Sequence, residues 1–204
     1  MTITWLGHSC FLLEEDGFRV LLDPYHEVQG LPDIETEADA VYCSHDHFDH
    51  GYTDKVRLTS GKENPFTVVE VQTFHDDKGG TLRGSNTVRK FTAGGVSAAH
   101  LGDLGHPLSA EQLASLGPCD AVLVPVGGYF TIDAAGAKAV ADAIGAPVVV
   151  PMHYRNGGVG FDVLSTVDDF TGLYPAEQVK RCSGNVLTLE KDMPKQVAVL
   201  TLAK

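Results

Sequence analysis

Positions 44–50 read Ser44-His45-Asp46-His47-Phe48-Asp49-His50, an H-x-H-x-D-H pattern that constrains this chain more than any other stretch of it. By composition alone the pattern would arise in about one such chain in a thousand. Three histidines and two aspartates in seven residues gain nothing from packing, and the histidines repel one another once protonated, so a solvated histidine-rich turn is the weaker reading. Imidazole nitrogens with a carboxylate are the donors that suit a borderline divalent ion such as zinc. The motif follows the short apolar run Ala40-Val41-Tyr42-Cys43. A loop leaving a strand aims alternate side chains at different points, so His45 and His47 can grip one metal while Asp49 and His50 reach a second. Two such ions lower the pKa of a shared water toward neutrality.

Composition limits what such a site can serve. Asp+Glu number 27 against Lys+Arg 15, a formal net charge of −12. An acidic surface repels phosphate backbones, which disfavours a large nucleic acid as partner. With 204 residues, 43% hydrophobic and 21% charged, the chain has the apolar content for one globular domain over 1–204. No run approaches the length of a membrane span, and Met1-Thr2-Ile3-Thr4-Trp5-Leu6 lacks the basic start of a secretory signal. Cys10, Cys43, Cys119 and Cys182 are scattered, each in or beside an apolar segment, which predicts reduced thiols in a cytoplasmic protein.

Strands are expected over 2–6, 9–14 and 18–22, the last two joined through Asp16-Gly17, then over 40–43, 66–74, 86–92 and 95–99. Ser109 and Gln112 form a capping-box signature before a helix reaching Leu116. A buried strand at 121–124, an alanine-rich helix over 133–144 and a buried strand at 147–150 suggest a βαβ unit. Val186–Leu189 and Val197–Leu202, around Asp192-Met193-Pro194-Lys195, read as a hairpin.

The motif after its apolar strand resembles that of the metallo-β-lactamase fold hydrolases. Trp5-Leu6-Gly7-His8-Ser9, Leu22-Asp23-Pro24 and Pro151-Met152-His153-Tyr154 resemble its branch of small bacterial Zn-dependent hydrolases related to ascorbate-phosphate lactonases, and the similarity runs from Ile3 to about Tyr154. The resemblance implies an α/β fold: a four-layer αββα sandwich of two mixed β-sheets with outer helices and metals at one edge. It implies a further histidine, matched by His75 in Gln72-Thr73-Phe74-His75, a bridging aspartate, matched by Asp103 in His100-Leu101-Gly102-Asp103, and a closing histidine, matched by His153. The implied first site is then His45, His47 and His75, the second is Asp49, His50 and His153, and Asp103 bridges. Two divalent ions are implied, zinc first, with manganese, iron and nickel open. The implied activity is attack by a metal-bound hydroxide on a small ester, lactone or phosphoester, with Asp49 or Asp103 steering the proton. Two divalent cations make an anionic substrate acceptable despite the overall charge.

Further candidates surround this set. Asp23 suits a carboxylate that orients a metal-bound imidazole, or is simply a turn residue before Pro24. His8 matches the family's N-terminal histidine near the site. His106 is placed to donate to an oxyanion or shuttle a proton, and Tyr129 and Arg155 are candidate substrate contacts, while His26 reads as solvated and Asp46 carries no role. Gly79-Gly80 and Gly157-Gly158 suit mobile lids. One departure from the family is that only 24 residues separate His50 from His75. Gly51–Pro65 then holds at most a short helix, which leaves the site open or covered by a second subunit of a homo-oligomer. Two readings compete with small-molecule hydrolysis: a phosphodiesterase or nuclease, favoured only by the basic trio Lys55, Arg57 and Lys62, and a metal-binding protein without turnover. An iron-based redox enzyme is disfavoured, because His47 stands where such relatives usually carry a glutamate.

Overall fold

Alternation in the first three strands decides which way each side chain points. In the computed structural model, which describes residues 1–59 and 61–202, β1 (Thr2–Gly7), β2 (Cys10–Glu15) and β3 (Phe18–Leu22) form an antiparallel meander. Ile3, Trp5, Phe11, Leu13, Val20 and Leu22 enter the main core, each such burial contributing roughly 1.5–3 kcal/mol. Cys10 and Leu21 face the other way and pack with Tyr25, Val28 and Ile34. Asp16 and Gly17 both have positive φ (49° and 74°), the type I′ geometry that matches strand twist.

Next come β4 (Thr36–Ala38), β5 (Ala40–Tyr42), β6 (Val56–Leu58), β7 (Thr67–Phe74), β8 (Ser85–Ala93) and β9 (Val96–His100). They are followed by α1 (Ala110–Leu116), β10 (Ala121–Pro125), α2 (Ala134–Ile144), β11 (Val148–Met152), α3 (Val167–Thr171), β12 (Val179–Arg181), β13 (Val186–Thr188) and β14 (Gln196–Val199). One sheet runs β13-β1-β2-β3-β5 and the other β12-β14-β11-β10-β9-β8-β7. Both are mixed: β3 pairs parallel with β5, and β9 pairs parallel with β10 but antiparallel with β8. The two sheets share the main core, giving the α/β sandwich of two mixed sheets that the sequence resemblance implies. Helices α1 and α2 pack on the larger sheet, against β7 and β10. The smaller sheet is covered on its outer face by residues 24–35 and the parallel β4–β6 ribbon.

Local signals hold where they are local. Ser109 and Gln112 make the reciprocal capping box, and the β10-α2-β11 crossover pairs its strands in parallel, with Asp133 capping α2. The tail departs from expectation: Val186–Thr188 pairs antiparallel with β1, whereas Gln196–Val199 lies parallel between β11 and β12, so the two runs belong to different sheets. Each finds an open edge of the sandwich, and Asp192-Met193-Pro194-Lys195 carries the chain across rather than turning it back. Among the described residues Gly51–Pro65 holds β6 and no helix, Ser60 lying outside them. Cys10, Cys43, Cys119 and Cys182 are free thiols, and burial pushes Cys43 and Cys119 up to about 11.

Candidate metal centre

Six strands deliver the site. His8 follows β1, Asp23 follows β3, His45 to His50 lie in the loop after β5, His75 follows β7, Asp103 lies just beyond β9, and His153 follows β11. Three of these residues turn the chain sharply at once, with φ of 49° at His8, 45° at Asp23 and 55° at His153, a region sparsely populated by non-glycine residues. The His8 carbonyl accepts from the His153 N–H (3.2 Å) and from Trp5 Nε1–H (3.0 Å), tying the β1–β2 turn to the end of β11.

Asp23, buried, organises the motif loop. Its Oδ1 accepts from the Ser44 N–H (2.6 Å), and its Oδ2 accepts from Ser44 Oγ–H (2.6 Å) and His50 Nδ1–H (2.7 Å). Ser44 Oγ in turn lies 2.9 Å from His45 Nδ1 and can accept its proton. One carboxylate thereby leaves the Nε2 atoms of both His45 and His50 for a ligand. Asn86 does the same for Asp103: its Oδ1 accepts the Asp103 N–H (2.9 Å) while its amide donates to Thr73 Oγ1 (2.8 Å) and the Leu101 carbonyl (2.9 Å). Gly102 lies so close to Asn86 and Ser44, at φ 54°, that any Cβ there would collide with both.

Asp103 is the centre of the cluster. His50 Nε2 lies 3.1 Å from its Oδ1, and His75 Nε2 and His153 Nε2 lie 3.1 and 3.2 Å from its Oδ2. Yet among the described residues His50 Nε2, His153 Nε2 and Asp103 Oδ1 find no aligned hydrogen-bond partner although all are buried. The atoms approach one another without hydrogen-bond alignment, as donors do when they aim at a common ion. Among the described residues three groups have donor atoms mutually within 4.8 Å: His45, His47 and His75; His8, Asp49, His50 and His153; and His45, His50 and Asp103. Neutral imidazoles with ionised carboxylates are a fitting donor set for divalent metals.

At His8, His45, Asp49 and Asp103 the electrostatics agree with that chemistry, whereas His50 holds its proton until an ion displaces it. Burial first, then the neighbouring His153, pushes His8 down to about 4, and burial with His50 pushes His45 down to about 3, so both are neutral near pH 7. Burial would raise Asp103, but His153 and His50 outweigh it and hold the carboxyl well below the usual range. Asp49 is depressed as well, its burial outweighed by the bond from His8 (3.3 Å) and by His50. Burial would lower His50, yet Asp103 and Asp23 raise it well above its ordinary value.

Other candidates lie elsewhere. His106 is not drawn into the cluster: its Nε2 accepts from the Phe74 N–H (3.1 Å) and its Nδ1 lies 2.8 Å from the Pro107 carbonyl, so main chain engages both nitrogens. Arg155 donates to the Leu164 carbonyl and lines a different cavity. Tyr129 is 66% exposed, with φ 58°. His26 is half-buried, stacked 4.4 Å from the Tyr52 ring, rather than solvated. Lys55, Arg57 and Lys62 are paired with Asp33, Glu37 and Asp39 and form no free basic patch. The Gly79-Gly80 segment is pinned rather than loose, because Asp76 Oδ1 accepts from the N–H groups of Lys78 and Gly80 and Oδ2 from those of Leu82 and Arg83. At the other glycine pair, Gly30 sits hard against Gly158, and the Gly160 N–H reaches the Gln29 carbonyl (2.9 Å).

A cleft of about 310 Å³ opens onto the cluster at His47, His75, Asp49 and Asp103. Its remaining lining is Phe48, Phe130, Phe161 and Arg83, none of which the sequence reading singled out. Loop phenylalanines carry no periodicity, and the only available signal was the proximity of Phe48 to the motif.

The sequence model of the family described as "Beta-lactamase superfamily domain" matches residues 2–153, and the chain belongs to that superfamily. Within it, the chain belongs to the UPF0173 metal-dependent hydrolase family. It is 31% identical to a member from Korarchaeum cryptofilum, with 75% of this chain and 82% of that protein covered, and 32% identical to one from Methanosphaerula palustris, covering 76% and 84%. A crystal structure from Thermotoga maritima of a protein placed in the metallo-β-lactamase superfamily is 36% identical, covering 99% of both chains with a TM-score of 0.78. Human tRNase Z, short form, at 13% identity and a TM-score of 0.55 over 75% of this chain and 92% of that one, shares the fold alone.

Proposed function

We propose that this protein is a dinuclear metal-dependent hydrolase of small esters, lactones or phosphoesters. The observation that carries the reading is Asp103, whose carboxylate lies within 3.2 Å of His50, His75 and His153 while buried donor atoms around it lack partners. His45, His47 and His75 would hold one ion, Asp49, His50 and His153 the other, and Asp103 would bridge. Divalent ions there, zinc first by donor type with manganese, iron or nickel as alternatives, would polarise a substrate oxygen and bring a water's pKa toward neutrality.

The chain's own residues do the rest. Asp23 fixes the ring planes of His50 and, through Ser44, His45, so the donor nitrogens need little rearrangement. Asp49, ionised and within 3.3 Å of His8 Nε2, is the carboxylate nearest a second group able to hold a proton. Phe48, Phe130 and Phe161 exclude water from one side of the cleft. The paired state of Lys55, Arg57 and Lys62 removes the feature that favoured a nuclease, and no described helix is long and apolar enough to cross a membrane.

The test is metal content per chain by plasma mass spectrometry on protein purified without chelators, followed by an ester, lactone and phosphodiester screen with a metal-stripped control. About two equivalents, lost together in His47→Ala, with turnover that follows metal, is the expected result. Fewer than roughly 0.2 equivalents, with none taken up at neutral pH, overturns it. Metal without turnover of any class would instead mark a binding protein.

A further inference from the structure

We infer that Arg83 anchors an oxyanion of the substrate remote from the bond that is cut, joined to it by an apolar or aromatic body lying among Phe48, Phe130 and Phe161. This deepens the hydrolase reading and rests on it.

The argument begins with charge. In a chain of net charge −12, most guanidinium groups are neutralised: Arg19 and Arg57 by Glu37, Arg89 by Glu70, Arg181 by Asp168. Arg83 lies against no such carboxylate among the described residues. Its side-chain contacts are a hydrogen bond from Nη2 to the Tyr129 carbonyl (3.3 Å) and a position over the Phe130 ring, 5.7 Å from its centroid. The aromatic face and one carbonyl orient the planar group while leaving donors for an incoming oxyanion.

Position comes next. Among the described residues Arg83 is the one Lys or Arg lining the cleft, which otherwise has carboxylates and imidazoles at one end and three phenylalanines along its sides. Phe48, 48% exposed, adds apolar surface to those sides beside Phe161, whose ring centroid lies 6.2 Å away. A volume of about 310 Å³ is at the small end of ligand cavities and suits one ring with short substituents.

The backbone is built for the task. Asp76, buried beside His75, gathers four N–H groups of residues 78–83 onto its two oxygens at 2.8 to 2.9 Å, the last from Arg83 itself. The loop bearing the guanidinium is therefore fixed relative to a residue of the metal cluster. Pre-fixing a charged fork at one end and the reacting centre at the other selects ligands by the separation of their two polar ends.

The test uses ligands that differ only at the remote end. Terephthalate and 4-carbamoylbenzoate each carry one carboxylate for the metal end, and 4-phosphonobenzoate replaces the remote carboxylate by a phosphonate. Binding is measured by calorimetry on the metal-loaded wild type, Arg83→Met, Arg83→Lys and Asp76→Asn, with metal content determined on the same samples. In the wild type at least one diacid binds about tenfold or more tighter than the amide, the size of a charge-assisted pair. The better of the two identifies the remote group as carboxylate or phosphoryl. That ratio falls to about one in Arg83→Met and is only partly restored in Arg83→Lys, whose ammonium lacks the fork. Asp76→Asn removes a negative charge, which by itself would favour an oxyanion, so a lowered ratio with metal content retained reports the loss of loop position. A wild-type ratio near one for both diacids, or one that survives in Arg83→Met, overturns the inference. Absence of metal overturns the hydrolase reading instead, and the ratio is still read on that protein.

Discussion

Asp23 and Asp76 are both buried aspartates that follow within two residues of a strand end, and each organises the loop beside it, yet they act on different atoms. Asp23 binds two side chains and one N–H, so what it fixes is the aim of imidazoles. Asp76 binds four main-chain N–H groups, so what it fixes is the course of the backbone. The same carboxylate chemistry aims side chains in one loop and sets the course of the backbone in the other. Burial would raise both groups. Asp23 is lowered by His100 and His50, whereas Asp76 is held at about 2 by the N–H groups of Arg83, Lys78, Gly80 and Leu82.

The comparison can be broken by substitution. The largest effect is expected at neither aspartate but at the residue between the metal groups: Asp103→Asn should cost about a hundredfold or more in hydrolysis and bound metal together, read by turnover and plasma mass spectrometry. Asp23→Ala should weaken metal affinity about 10- to 100-fold, measured by competition with a chromogenic chelator, with turnover recovering at raised metal. If Asp23→Ala kept full affinity and Asp76→Asn lost it, the division of labour would be reversed.

Acid should reach the metal end of the molecule before the Asp76 loop. His8 and His45 fall to about 4 and about 3 on folding, so below their ordinary 6.5 the unfolded chain takes up protons that the folded one refuses. Metal-free protein should therefore lose on the order of several kcal/mol as pH drops from about 6.5 toward 4, seen as a falling urea midpoint. His50 works in the opposite window, its raised pKa contributing stability below 6.5 that is lost as pH rises through the folded value. Asp76 loses its contribution only as pH falls from the ordinary 3.8 through about 2. The smallest effect belongs to an exposed ion pair: Lys78→Ala, removing a partner of Asp77, should change stability by about 0.5 kcal/mol or less.

Much of this was readable because the relevant signals are local. The motif loop, the Asp16-Gly17 turn, the Ser109 capping box and the β10-α2-β11 unit each depend on neighbours in sequence. The tail was misread because two apolar runs look alike whether they pair with each other or with strands more than a hundred residues away, as Val186–Thr188 does with β1. His106 and Arg155 sit near the cluster residues Asp103 and His153 in sequence, but main-chain contacts turn their side chains to other work. Arg83 and the three phenylalanines acquire meaning only when loops from different strands meet, which no spacing rule reports.

The donor residues do not come from one sheet. His45 to His50 follow β5 of the five-stranded sheet, while His75, Asp103 and His153 follow β7, β9 and β11 of the seven-stranded one. Ions held there would rivet the two halves of the sandwich, so their binding energy would also be cohesive energy of the whole fold. In a metal-starved cell the chain would open more often and reach proteases sooner, and its abundance would then track metal supply before any change in its synthesis.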